Sequence, residues 1–242
     1  MAIVECKMRL DKFIASMGFG SRKEVKNNIR KGLVTVNDNL IKDPGFGVIR
    51  GKDRVTLKNQ PITYEDYQYF MLHKPAGVIS ATEDPKHKTV LDLLTSKHRK
   101  DLFPVGRLDI DTEGLLIITN DGELAHNLLS PKKHVEKIYY ARIQGVVTEE
   151  DVEAFKNGVN IDDDYTTMPA DLKILKSDQV SKVEIIIKEG KFHQIKKMFE
   201  ARDKKVIYLK RMAMGRLQLD PELKLGEYRV LKVEEIELLK NR

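Results

Sequence analysis

Leu10, Phe13 and Ile14 fall on one face of a 3.6-residue helix, and this spacing predicts a short amphipathic helix over Leu10–Ser16. Gly18-Phe19-Gly20 breaks it. Ser21-Arg22-Lys23-Glu24 then reads as a capping box, in which serine and glutamate satisfy each other's orphan amides. The second helix runs to Lys31 and stops at Gly32, a residue suited to a left-handed C-terminus. Leu33–Val36 and Asp53–Leu57 read as strands, with a turn at Asn37-Asp38-Asn39. A compact unit thus ends near Lys58, and the polar stretch 59–67, with Pro61, is expected to be a linker. Beyond it, strands are expected at Tyr69–His73, Gly114–Thr119, Ile138–Gln144, Val183–Lys188, Val206–Leu209 and Tyr228–Val233. Helices are expected at Val90–Leu94, Phe192–Arg202 and Glu149–Lys156, the last capped by Thr148. Asn120-Asp121-Gly122 is a turn signal. Strands and helices in this order predict an α+β chain on a mixed, mainly antiparallel sheet flanked by helices.

Charge sharpens the first unit. The chain of 242 residues carries a formal net charge of +6. Between Lys7 and Lys31 stand eight basic residues and two acidic ones, so this segment holds the whole net charge. Two short basic helices concentrated in this way favour a phosphate-binding surface over a merely solvated helix face. Cys6 is the one cysteine, which excludes a disulfide framework and a multi-cysteine zinc site and fits a reducing cytoplasm. The N-terminal residues lack the apolar core of a signal peptide, and no apolar run approaches membrane-spanning length. The histidines show no paired spacing for a metal, and Asp162-Asp163-Asp164 reads as a solvated turn rather than a calcium loop.

The candidate chemistry centres on Gly106-Arg107-Leu108-Asp109-Ile110-Asp111-Thr112-Glu113-Gly114-Leu115-Leu116. Acidic residues at alternating positions before an apolar strand are compatible with a metal site, a pair of glycosidase carboxylates or a solvated turn. On residue chemistry alone the solvated turn leads.

Resemblance changes that order. Met8-Arg9-Leu10-Asp11-Lys12-Phe13 and Ser21-Arg22-Lys23-Glu24-Val25 resemble the S4-like alpha-L RNA-binding domain, first known from a ribosomal protein. That resemblance covers Met8 to Leu57 and implies that Arg9, Lys12, Arg22, Lys23, Lys26 and Arg30 meet structured RNA. The Gly106–Leu116 string resembles the signature of pseudouridine synthases of the small-subunit type. His73-Lys74-Pro75-Ala76-Gly77-Val78 is similar to their Lys-Pro-x-Gly motif, and Glu189-Gly190-Lys191-Phe192-His193-Gln194-Ile195-Lys196-Lys197-Met198-Phe199 to the motif that closes the active site. Three motifs in family order are far more specific than one.

The resemblance implies an RNA-binding domain at 8–58, a linker at 59–67 and a catalytic domain at 68–242. It implies Asp109 as catalyst, Lys196 as its ion-pair partner and Tyr139 stacked on the extruded uracil. Arg107 would occupy the space that nucleotide leaves, or bind phosphate, and Lys74 would bind substrate. The reaction exchanges an N1–C1′ bond for a C5–C1′ bond and needs no redox cofactor, nucleotide or metal. Ser80–Leu91 and His193 look closest to the small-subunit branch, which implies 16S ribosomal RNA, free or in an assembling subunit. A monomeric cytoplasmic enzyme with no membrane partner is the expectation. The alternatives are action on 23S ribosomal RNA, an inert RNA-binding assembly factor, and a glycosidase using Asp109 with Asp111 or Glu113. The glycosidase would leave the basic N-terminal segment unexplained.

Overall fold

The computed structural model describes residues 7–62, 67–95, 101–162 and 165–240. Cys6, His98, Asp163, Asp164 and the 63–66 part of the expected linker lie outside them. The chain divides into two compact units, one of residues 1–68 with 94–102, the other of 69–93 with 103–242. No helix among the described residues is long and apolar enough to cross a membrane.

In the first unit, helix α1 (Leu10–Ser16) forms where the apolar spacing predicts, and α2 (Arg22–Arg30) where the capping box does. The capping box is made: Glu24 Oε2 accepts from the Ser21 amide at 2.7 Å, and Ser21 Oγ accepts from the Glu24 amide at 3.3 Å. Strand β1 (Lys7–Arg9) pairs with β4 (Gly47–Ile49). Strands β2 (Val34–Val36), β3 (Asn39–Leu40), β5 (Val55–Leu57) and β6 (Gln60–Ile62) form a sheet in the order β3-β2-β5-β6. Leu10, Phe13, Ile14, Val25, Ile29, Val34, Val48 and Val55 make its core. Each such side chain, fully buried, contributes about 1.5–3 kcal/mol. Residues 60–62 are therefore strand rather than linker. Lys58 and Asn59 take positive φ and form a tight hairpin turn, and Pro61 is tolerated because β6 is an edge strand.

The second unit is built on a nine-stranded sheet. Its main path runs β13 (Asp171–Lys176), β14 (Val180–Ile187), β10 (Lys137–Gln144), β15 (Lys205–Met214), β9 (Glu113–Thr119), β7 (Tyr69–Lys74) and β17 (Tyr228–Val230). Strand β16 (Leu217–Gln218) adds to β15, and β8 (Phe103–Pro104) to β9. Among the described residues only β15 and β9 pair in parallel, so the sheet is mainly antiparallel as expected. A small hairpin, β11 (Asn160–Asp162) with β12 (Tyr165–Thr166), stands apart. Helices α3 (Gly122–Leu129) and α6 (Val233–Lys240) join Met71, Leu115, Ile117 and Met214 in one core. Helices α4 (Glu149–Asn157) and α5 (Gln194–Glu200) meet through Phe155 and Phe199, whose ring centroids are 4.8 Å apart.

Five local expectations change. Asn120-Asp121-Gly122 is not a simple turn: Asp121 accepts from the Leu124 amide at 3.0 Å and starts α3. Val90–Leu94 holds a single 3-10 turn at Leu91–Leu93. The helix expected from Phe192 starts at Gln194, because His193 takes left-handed backbone with φ 53°. Strand β15 reaches Met214, and the segment after Val230 turns into α6.

Candidate active site

A cavity of about 1070 Å³ opens over the sheet of the second unit, lined by Arg107, Asp109, Tyr139, Lys191, His193 and Arg211 among others. A smaller recess of about 70 Å³ within the same region adds Lys196, Gln194 and Leu209 to its walls. Three of the sequence motifs meet here.

The loop from Gly106 to Thr112 brings in the carboxylates. Its entry at Gly106 has φ 77°, and at Gly114 φ is 108°. A Cβ on Gly114 would lie 2.2 Å from the Arg211 carbonyl oxygen, so only glycine lets β9 and β15 approach so closely. The loop is then tied down from beneath. Lys74 is fully buried, and its Nζ donates to the carbonyls of Thr112 at 2.8 Å, Asp109 and Pro75 at 3.0 Å, and Ile110 at 3.4 Å. Burial pulls its pKa down to about 8, against the raising pull of Asp111, Asp109 and Glu113. Ser80 Oγ brackets Leu108, donating to its carbonyl at 2.9 Å and accepting from its amide at 3.0 Å. Gly77 donates its amide to the Ile110 carbonyl at 2.7 Å. Lys74, expected to bind substrate, directs its ammonium at loop backbone beneath the cavity and lines neither recess.

The third motif brings in the cations. Glu189 is buried and accepts from the Met168 amide at 2.8 Å, from Gln194 Nε2 at 3.1 Å and from the Tyr165 hydroxyl. That hydrogen bond holds the Tyr165 hydroxyl up at about 12. Gln194 Oε1 accepts from the Lys191 amide at 2.9 Å. The turn so pinned, with left-handed His193 at its end, starts α5 pointing Lys196 at the carboxylates. Lys196 Nζ lies 3.1 Å from Asp109 Oδ2 and 2.6 Å from Asp111 Oδ1. Desolvation works to lower the Lys196 pKa, but its hydrogen bonds and charge contacts with Asp111 and Asp109 outweigh this and raise it. Desolvation likewise works to raise Asp111, and Lys196 overcomes it, leaving that carboxyl below its ordinary value. Lys196, not its neighbour, makes this contact. Lys197 Nζ turns to Asp162 at 2.7 Å.

Tyr139 is buried on β10 and lines both cavities, opposite Arg211 on β15 and Ile185 on β14. Tyr140, its neighbour, points to the other face and stacks edge-on against Tyr208. Arg107 is exposed at the cavity wall. Two residues near Asp109 were not assigned a role from sequence. His193 Nε2 comes within 3.7 Å of Asp109 Oδ1, with its ring stacked on exposed Phe192 at 3.8 Å. Arg211 reaches the cavity from a stretch expected to lie beyond its strand. Only an alternating pattern carried past Leu209 would have placed it inward.

In the first unit, Lys12, Arg22, Lys23 and Arg30 are exposed on the two helices. Arg9 instead grips buried Asp11 through two hydrogen bonds of 3.1 Å, and Lys26 approaches the same carboxylate at 3.8 Å. The hydrogen bond from Arg9, outweighing desolvation, holds Asp11 below the usual carboxylate range.

The model of the RNA pseudouridylate synthase family matches residues 68–201, and that of the S4 domain residues 8–54. Over 234 residues the chain is 47% identical to the uncharacterized RNA pseudouridine synthase YtzG of Bacillus subtilis (strain 168), covering 96% of this chain and 98% of that protein. Over 231 residues it is 38% identical to ribosomal small subunit pseudouridine synthase A of Escherichia coli (strain K12), covering 95% and 98%. A crystal structure of a pseudouridylate synthase superposes with a TM-score of 0.67 at 35% identity, over 96% of this chain and 99% of that one.

Proposed function

This chain belongs to the RNA pseudouridylate synthase family and is an isomerase of RNA uridine, and we propose that its substrate is ribosomal RNA, specifically the 16S RNA of the small subunit. The observation that carries the site reading is Lys196, held between Asp109 and Asp111 in a cavity walled by Tyr139. The ion pair with Lys196 holds the Asp109 carboxylate at the cavity wall. Asp109 is then available to act on the ribose or on C6 of the base, as nucleophile or as base. The N1–C1′ bond breaks, the uracil turns, and C5 bonds to C1′; N1 gains a proton and C5 loses one, so nothing is oxidised or reduced.

In this proposal Tyr139 stacks on the extruded uracil and helps move the C5 proton, and Arg107 fills the gap left in the RNA. The first unit, 8–58 with β6 continuing it, supplies phosphate contacts from Lys12, Arg22, Lys23, Lys26, Arg30 and Arg9, and 68–242 performs the chemistry. The enzyme acts as a monomer in the cytoplasm, on free RNA or an assembling subunit. Near-complete coverage of a relative named for the small subunit favours 16S over 23S RNA.

Two measurements test this. The protein should release tritium from a 16S transcript labelled at uridine C5, and a strain lacking it should lose a pseudouridine from its 16S map. Loss from 23S RNA instead would overturn the target and leave the chemistry standing. No tritium release from either RNA would leave an RNA-binding assembly factor.

A further inference from the structure

Arg211 is 3% exposed, its Nε donates to the Leu115 carbonyl at 2.8 Å, and its Nη2 has no hydrogen-bond partner. It has no ion-pair partner among the described residues, yet it lines the cavity that holds Asp109. A buried guanidinium with an unmet donor is costly, and such a group calls for an acceptor from outside the chain, a ligand, water or ion. Its backbone is clamped against Gly114, where no Cβ fits. Across the β10–β15 ladder it is the direct partner of Tyr139. Directly opposed residues share a face with Cβ atoms about 4.5–5.5 Å apart. A base stacked on the Tyr139 ring therefore presents its edge to Arg211.

The chemistry of uracil says what that edge offers. A half-turn about the C6–N3 axis, the rotation that replaces N1 by C5 at the sugar, exchanges the positions of O2 and O4. A donor aimed at either carbonyl position thus finds an oxygen before and after the turn. Guanidinium only donates. Cytosine has an amino group at C4, and in one of the two orientations it would set N–H against N–H. We propose that Arg211 is the residue that reads uracil, its Nη2 donating to a ring carbonyl in both orientations of the base. The inference rests on the reading that uracil occupies this cavity beside Tyr139.

The test uses the full chain and the ribosomal transcript it converts, carrying uridine, 2-thiouridine or 4-thiouridine at the target. Sulfur is a poorer acceptor than oxygen. Wild type should be slowed by each substitution, by about 10-fold, the scale of one hydrogen bond from a charged donor. Arg211→Met should be slow on uridine and show no further loss with either sulfur. Arg211→Gln, which refills the space with a neutral amide, should show a smaller sulfur penalty and serves if the methionine variant does not fold. An unchanged sulfur penalty in the variants, or wild-type slowing by only one of the two substitutions, would overturn the assignment. An arginine that held phosphate or only supported β9 would give that unchanged penalty. Failure of wild type to convert the unmodified transcript would instead sink the reading of the cavity itself.

Discussion

Replacing Lys74 with methionine removes a buried cation whose Nζ lies within 3.0 Å of the Thr112, Asp109 and Pro75 carbonyls. Two opposing magnitudes follow. Burial lowers the lysine pKa from 10.5 to about 8. At 1.36 kcal/mol per pH unit, keeping it charged in the folded protein costs about 3 kcal/mol, a cost methionine does not carry. Against that, each buried carbonyl left without a donor costs about 1–3 kcal/mol. The two partly cancel, and the net loss at pH 7 should be about 0–6 kcal/mol. Activity should fall much further, about 100-fold or more, because the loop that aims Asp109 loses its anchor. Proton linkage separates this from generic damage. Between pH 8 and 10.5 the unfolded chain keeps the Lys74 proton that the folded chain has released, so wild-type stability gains with rising pH. Below pH 8 both states are charged and the contribution is flat. Urea melts of both proteins at pH 7, 8, 9 and 10 should show wild type gaining up to about 3 kcal/mol on the variant across that window. A difference that stays constant with pH, or a variant with full tritium release, would refute the reasoning.

Three further outcomes are expected. Asp109→Asn should abolish tritium release while Asp111→Asn, at a more exposed carboxylate, keeps most of it; the reverse result would move the catalyst two residues along. Lys196→Met should lose most turnover and let the Asp111 pKa rise, as titrated by NMR, whereas Lys197→Met, which frees Asp162 and the Phe192 ring, should be nearly silent. The triple variant Arg22→Gln, Lys23→Gln, Lys26→Gln should weaken RNA binding and flatten the plot of log affinity against log salt by roughly 0.7–0.9 per lost phosphate contact. Unchanged affinity and slope would make the basic helices a solvated face.

Much of the site was legible along the chain because it is built from contiguous motifs, each read as a string. Gly106–Leu116 places Asp109, and Glu189–Phe199 places Lys196. What the strings left open was how a side chain within them is used. Lys74 and Lys196 are both motif lysines, yet one is fully buried under backbone carbonyls and the other bridges two carboxylates. Distinguishing them needs the distance from each ammonium to atoms 35 and 87 residues away in the chain.

Local signals marked α1, α2, β7, β9 and β10 and the α+β class: helical apolar spacing for α1, the capping box for α2, alternation for β10, and for β7 and β9 short apolar runs that are buried on both faces. The charge count located the basic unit as well, since formal charge needs no fold. Tertiary structure decided the rest. It set the left-handed His193 that delays α5 and the edge-strand place of Pro61. Above all it set the pairing of β10 with β15 that lays Arg211 beside Tyr139. A register between strands more than 60 residues apart is selected by packing across the whole sheet, and no window of sequence contains that information.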